Sequence, residues 1–223
     1  MLSKRLQKVL DYINVEDKLA DIGCDHGYLS LYAIKKGVKF VQLVDNKIGP
    51  LNVAKKNLSK EKLDAEIKYS LSSGLSDIDG KVDTVAICGM GGDLISKILY
   101  EDIETAKKMK YLILEANSKV DVLREFLSSN CFEIMDEDVV FEKDKYYEIL
   151  IIRFNSKIEQ LTKTEIEFGP VLLKKKNDIF KEYLMDKLNK LNLIVNKNIE
   201  SKEKLIVKID KINAILESFK NSN

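Results

Sequence analysis

At 223 residues, with 45% apolar content and a net charge of +1, the chain is long enough to bury a substantial core, and one domain with an extension is the natural expectation. Three cysteines (Cys24, Cys88 and Cys131) and a single histidine argue against a disulfide scaffold and a structural zinc site, and they fit a reduced cytoplasmic protein that binds no metal. No apolar run approaches membrane-spanning length, so no membrane partner is expected. The opening Met1-Leu2-Ser3-Lys4-Arg5 leads into an amphipathic helix (Leu2, Leu6, Val9, Leu10, Ile13) rather than a signal peptide.

After that helix, short apolar runs alternate with helical periodicity. Strands are predicted at Leu19–Ile22, Phe40–Asp45, Ala65–Tyr69, Val82–Cys88 and Tyr111–Glu115. Helices are predicted between them, at Tyr28–Lys36, Pro50–Lys60, Leu94–Met109 and Val120–Asn130. Such alternation implies a parallel sheet covered by helices on both faces. Two further runs, Phe132–Glu142 and Tyr147–Phe154, flank the turn signal Lys143-Asp144-Lys145 and read as an antiparallel hairpin closing the sheet. Five alternating units and a β-hairpin form the layout of the α/β, Rossmann-like class I methyltransferases, whose seven-stranded, mostly parallel sheet has an antiparallel last strand.

Pro50 and Pro170 both follow glycine and precede helical patterns, which suits the first turn of a helix. Pro170 also marks an expected domain boundary, and beyond it the pattern changes. Apolar positions fall at Leu184, Leu188, Leu191 and Val195, then at Leu205, Ile209, Ile212, Leu216 and Phe219, a coiled-coil seam with alternating spacings of four and three. The polar stretch Asn196–Ser201 can turn, so an antiparallel helical hairpin in a monomer is expected, with a continuous dimeric coiled coil as the alternative. The domains are expected at 1–155 (catalytic) and 156–223 (helical coiled coil). From Val171 onward there are 12 lysines against 7 acids, a charge of +5, which leaves −4 for the first 170 residues. A basic arm beside a near-neutral body suits an extended polyanion, though lysine is also common on any solvated helix.

The stretch Leu19-Ala20-Asp21-Ile22-Gly23-Cys24-Asp25-His26-Gly27-Tyr28 carries the most chemistry. It reads as a strand, a tight turn whose glycines let a ligand approach the backbone, and a helix start. Dinucleotide enzymes need bare amides here for a pyrophosphate, which Asp21 and Asp25 would repel. A nucleoside with a cationic centre is favoured instead, and S-adenosylmethionine is the obvious one. Asp45, followed by Asn46, ends the second strand about 20 residues on, where an acid accepts from ribose hydroxyls. After the third strand, Ser72-Ser73-Gly74 lies where this fold meets the adenine amino group.

Cys88-Gly89-Met90-Gly91-Gly92 follows the fourth strand, and three glycines in four residues mean that backbone lines the cleft there. Such a turn can present carbonyls to a base edge, with Met90 packing on its face. The Asp/Asn-Pro-Pro-aromatic motif of amino-directed methyltransferases is missing. Cys24 and Cys88 lack the context of an activated nucleophile and read as small fillers beside the cofactor. His26 either helps to hold the cofactor or makes a local helix-start bond. Tyr28 is a candidate to stack on a base or a core aromatic, and Asn117 a candidate for base-edge contact.

Taken together, these residues resemble the bacterial tRNA (adenine-22-N1)-methyltransferase family from end to end. Lys4-Arg5-Leu6 is similar to its opening helix, Asp21–Ser30 to its DIGSDHAYLP signature, and Gly49-Pro50 to its Gly-Pro helix start. Gly89-Met90-Gly91-Gly92, Leu112–Asn117 with Leu123-Arg124, Tyr147-Glu148-Ile149 and Phe168-Gly169-Pro170 match further segments. Departures are Cys24 for serine, Gly27 for alanine, Ser30 for proline, Ser73 for aspartate and Glu115-Ala116 for Gln-Pro.

The resemblance implies methyl transfer from S-adenosylmethionine to N1 of an adenine in tRNA. Asp21, Gly23, Cys24, Asp25, His26, Asp45, Asn46, Ser72, Ser73, Gly74, Cys88 and Gly89 are then cofactor-binding. Arg5, Tyr28, Met90, Gly91, Gly92 and Asn117 are substrate-binding, and Asp25, Gly89 and Met90 catalytic. Adenine N1 has a free lone pair, so positioning does the work, and Asp25 is the candidate to favour the positive charge that develops on the base. The alternatives are methylation of another base or a small molecule, and an RNA-binding module that keeps the fold as a scaffold. A nicotinamide-dependent oxidoreductase is disfavoured by Asp25.

Overall fold

The protein is seen in a computed structural model that describes residues 2–157, 160–197 and 202–220. The chain divides into two compact units, Met1–Gly169 and Pro170–Asn223.

The first unit opens with α1 (Lys4–Tyr12), whose first turn is capped by Ser3, the hydroxyl accepting from the Leu6 amide. Five parallel strands follow: β1 (Lys18–Ile22), β2 (Phe40–Asp45), β3 (Glu66–Leu71), β4 (Thr84–Gly91) and β5 (Tyr111–Ser118). Between them run α2 (Tyr28–Lys36), α3 (Ile48–Leu58), α4 (Gly92–Glu101), α5 (Ile103–Lys108) and, after β5, α6 (Val120–Ser129). The sheet closes with β6 (Phe132–Glu142) and β7 (Lys145–Phe154), and β7 is antiparallel to both of its neighbours. Across the sheet the order is β3-β2-β1-β4-β5-β7-β6. The connections diverge on either side of β1 and β4, which opens a crevice at the carboxyl ends of those strands.

The local chemistry explains these elements. β1 and β2 are covered on both faces, so Leu19, Ala20, Ile22, Val41, Leu43 and Val44 are all buried and each strand reads as a continuous apolar run. Gln42 is buried among them with its amide satisfied: Nε2 donates to Ser70 Oγ and Asp77 O, each at 2.8 Å, and Oε1 accepts from the Asp79 amide at 2.8 Å. The β6–β7 turn places Lys143 (φ 49°) and Asp144 (φ 59°) in the left-handed region, as a tight two-residue hairpin requires.

Several element boundaries differ from the sequence reading, among them three with structural consequences. The helix predicted over Leu94–Met109 is broken at Asp102, whose carboxylate accepts from the Leu75 amide at 3.1 Å and whose backbone (φ −122°) leaves the helix. α3 starts at Ile48, which makes Pro50 its third residue, still in the first turn, where its missing N–H costs nothing. The segment from 156 to 169, assigned by sequence to the C-terminal part, lies with the first unit. There α7 (Lys163–Phe168) begins in a Thr162–Glu165 capping box, and the Leu161 amide donates to Ser128 Oγ of α6 at 2.8 Å.

The second unit holds α8 (Leu172–Lys175), α9 (Asp178–Lys197) and α10 (Lys202–Ser218). The rings of Phe180 and Phe219 lie 6.2 Å apart, so the start of α9 is beside the end of α10. Leu184 and Ile212 of the expected seam are fully buried. The turn expected over Asn196–Ser201 falls mostly on 198–201, outside the described residues.

α6, β6, β7 and α7 meet at Arg124, which is fully buried. Its Nε donates to Glu137 Oε1 at 2.8 Å and its Nη2 to Glu148 Oε2 at 2.5 Å, and Gly169 (φ +90°) packs so tightly on this cluster that a Cβ would lie 2.6 Å from Glu137 Oε2. Arg124→Met leaves two buried carboxylates without their guanidinium. It is expected to destabilise the protein by about 3–5 kcal/mol in chemical denaturation.

Candidate active site

The crevice at the ends of β1, β2 and β4 is a cavity of about 690 Å3. Its floor is acidic. Asp21, the penultimate residue of β1, is buried and accepts from Ser30 Oγ of α2 at 2.8 Å. Burial pushes its carboxyl up to about 6; the Ser30 bond opposes this, and the charges of Asp45 and Asp25 add to it. Asp45 closes β2, and its carboxylate is aimed by two backbone amides: Lys47 N donates to Oδ1 at 2.9 Å and Asp25 N to Oδ2 at 3.4 Å. The turn between β1 and α2 is tied to β2, because Gly23 N and Cys24 N both donate to Val44 O, at 2.8 and 3.1 Å. Asp25 sits at φ +47°, with its exposed carboxylate Oδ2 2.7 Å from His26 Nδ1. The His26 ring is parallel to that of Tyr28, centroids 5.9 Å apart and planes within 4°.

The opposite wall is the glycine turn. Gly89 (φ +78°) donates its N–H to Glu115 Oε2 at 2.8 Å and accepts at its carbonyl from Asn117 Nδ2 at 2.6 Å. The Met90 methyl lies directly over Gly23, whose φ of +69° disfavours a side chain and where a Cβ would displace that methyl. Gly92 faces the Lys119 carbonyl, which leaves no room for a side chain. At the end of β3, Ser72 donates its amide to Asp45 O at 3.1 Å. Its hydroxyl Oγ is buried with no hydrogen-bond partner among the described residues, so it is available to a ligand.

Of the residues singled out by sequence, Arg5, Asp21, Gly23, Cys24, Asp25, His26, Tyr28, Asp45, Asn46, Ser72, Ser73, Gly74, Cys88, Gly89 and Met90 line this one cavity. Gly91, Gly92 and Asn117 stand behind the lining, and Asn117 acts on the turn through Gly89. Burial pushes both thiols up, Cys24 further by the charges of Asp21 and Asp45, and Cys88 by those of Glu115 and Asp21. Both are neutral fillers rather than nucleophiles. Leu94, Lys97, Ile98 and Glu101 of α4 also line the cavity. Sequence reasoning missed them, because an amphipathic helix shows which face is apolar but not that its first turns border a ligand. It also missed Glu115, whose contact to Arg5 spans 110 positions. Among the described residues no cluster of metal-ligating side chains occurs, and no helix is long and apolar enough to cross a membrane.

A sheet of this order, with an acid near the end of β1, a second acid closing β2 and a glycine turn at the end of β4, is the frame of a class I, S-adenosylmethionine-dependent methyltransferase. Residues 19–220 match the tRNA (adenine(22)-N(1))-methyltransferase family, and the chain belongs to that family. A tRNA (adenine(22)-N(1))-methyltransferase of Bacillus subtilis is 34% identical over 188 residues, 80% of this chain and 78% of that protein. A Streptococcus pneumoniae structure in complex with S-adenosyl-L-methionine superposes with a TM-score of 0.88 at 31% identity, covering 97% of this chain and 100% of that one. A Mycoplasma capricolum (M. capricolum) structure holding S-adenosyl-homocysteine gives a TM-score of 0.84 at 33% identity, over 97% and 98% of the two chains.

Asp21 makes the ligand-free fold pH-sensitive. Its folded pKa, about 6, lies above the ordinary 3.8, so the folded state holds this proton more tightly and loses that advantage as pH rises through about 6. Relative to Asp21→Asn, the wild type is expected to lose about 3 kcal/mol of stability between about pH 4 and pH 7, read by urea denaturation. In the same cavity, Cys24→Ser and Cys88→Ser are expected to keep turnover within about threefold, since neither thiol is activated.

Proposed function

We propose that this cleft binds S-adenosylmethionine and methylates N1 of adenine 22 in tRNA. The observation that carries the reading is the convergence of Asp21, Asp25 and Asp45 on one cavity, opposite a turn made of backbone. That donor set fits a cationic nucleoside and opposes a pyrophosphate. Asp45 is already aimed by two amides and holds the ribose hydroxyls, with Asn46 beside it. Ser72 offers its unpartnered hydroxyl to the adenine amino group, with Ser73 and Gly74 next to it and Leu94 and Ile98 as apolar walls. Asp21 and Asp25 supply the negative field for the sulfonium, and Gly23, Cys24, His26 and Cys88 shape the cavity around it.

When bound, the cofactor supplies an electrophilic methyl group. The protein's part is to place an unprotonated N1 in line with it and to exclude alternatives. N1 is ordinarily stacked or paired in folded RNA, so the target nucleotide enters the cleft flipped out. Tyr28 and Met90 offer faces to the base. Gly89, Gly91, Gly92 and Asn117 form the turn that meets its edge, and Arg5 meets the flanking backbone. Asp25, with His26 beside it, faces the charge that appears on the methylated base.

In this reading, residues 1–155 with the short extension to Gly169 carry the chemistry, and the C-terminal helices form an antiparallel coiled-coil hairpin that grips tRNA phosphates by shape. Pairing of the apolar seam within one chain supports a monomer. A tRNA substrate and reduced cysteines suit the cytoplasm.

Incubating tRNA with labelled S-adenosylmethionine and mapping the product by mass spectrometry is expected to place one methyl group on N1 of adenine 22. A label on another base, or cofactor binding without methylation of any tRNA, would contradict the assignment. Replacing Lys181, Lys202 and Lys204 together with Glu is expected to raise KM for tRNA about tenfold or more at low salt, while cofactor affinity stays unchanged.

A further inference from the structure

Glu115 lies fully buried in the middle of β5, and its surroundings are costly for a residue with only a packing role. One oxygen, Oε2, accepts both from Arg5 Nη1 at 2.5 Å and from the Gly89 amide at 2.8 Å. The other, Oε1, is buried with no hydrogen-bond partner among the described residues. Burial pushes the carboxyl up, while Arg5 and the Gly89 amide hold it down. A buried ion pair of this kind contributes little to stability that an apolar pair of similar volume would not.

What it does contribute is geometry at the cleft wall. Glu115 and Asn117 point from the same face of β5 and hold the two peptide groups that flank the Gly89 Cα, the N–H by Glu115 and the C=O by Asn117. Arg5 reaches the same carboxylate from α1, close enough that a Cβ on Gly89 would lie 3.6 Å from its Nη1. The guanidinium also sits 5.3 Å above the centre of the Tyr147 ring, which limits where it can turn. Arg5, Gly89 and Met90 all line the cavity, whereas Glu115 stands behind them.

We propose that Glu115 is a positioning residue for methyl transfer, fixing the Gly89–Met90 turn and the Arg5 guanidinium as one preset unit against which the target nucleotide docks. The role requires an acceptor oxygen rather than a charge, because both bonds that Glu115 makes in the unit end on Oε2. The proposal rests on the cleft being the site of tRNA methylation, and wild-type methylation is therefore the reference in every measurement.

The test compares Glu115→Gln and Glu115→Leu for kcat, KM for tRNA, affinity for S-adenosylmethionine and thermal melting. Glu115→Gln keeps an acceptor for both N–H groups and is expected to hold kcat within about threefold. Glu115→Leu is expected to lower kcat about tenfold or more, with cofactor affinity within about twofold. The proposal is overturned if Glu115→Leu retains kcat, or if both variants lose methylation and cofactor binding together. Should Glu115→Leu not fold, a double-mutant cycle of Glu115→Ala with Arg5→Gln decides: strongly non-additive losses in kcat are expected, and additive ones refute the coupling. A wild type that binds the cofactor but methylates no tRNA would instead refute the functional reading beneath it.

Discussion

Three carboxylates brought to one end of a parallel sheet form the constraint around which this protein is organised. Asp21 lies buried one residue before the end of β1, Asp45 closes β2, and Asp25 lies in the turn between β1 and α2. An arrangement of like charges is unfavourable in isolation, and the protein manages it by oriented donors, Ser30 for Asp21 and the Lys47 and Asp25 amides for Asp45, while the Asp25 carboxylate is exposed with His26 Nδ1 2.7 Å away. What remains is a negative cavity with its acceptors already aimed, complementary to a nucleoside that carries a positive sulfur. The same field would repel the pyrophosphate that many sheets of this topology hold at the equivalent edge.

The opposite wall answers a different need. Methylation at a ring nitrogen with a free lone pair requires no strong base, so the cleft needs shape and rigidity more than a titrating side chain. A glycine turn supplies the shape but is intrinsically floppy. Here it is stiffened from behind by β5, whose Glu115 and Asn117 hold the peptide groups on either side of Gly89, and from the side by Met90 packed over Gly23. The two walls are thus joined, since Gly23 of the turn after β1 is packed by Met90 of the glycine turn at the end of β4.

Much of the architecture was legible in the sequence. β2 and α2 fall on the residues expected because a fully buried strand and a short amphipathic helix leave clean patterns. The acids and glycines that line the cavity were legible too, since their residue types and spacing follow from what a cationic nucleoside needs. The break at Asp102 was not, because the bond that causes it comes from Leu75, far away in sequence. Glu115 reads locally as an acid at the end of an apolar run, and its meaning depends on Arg5 arriving from the first helix. The place of 156–169 with the first unit was less legible for a similar reason: it depends on Ser128 and on the Arg124 cluster, neither of which has a local signature.

The electrostatic account is tested most directly by calorimetric titration of S-adenosylmethionine near pH 6 in buffers of different ionisation enthalpy. Asp21 is partly protonated there in the free protein, so binding a cation should expel part of a proton into the buffer, and Asp21→Asn should abolish that release. Binding without proton release from the wild type, or release undiminished in Asp21→Asn, would contradict the claim that buried Asp21 is the charge that recognises the sulfonium.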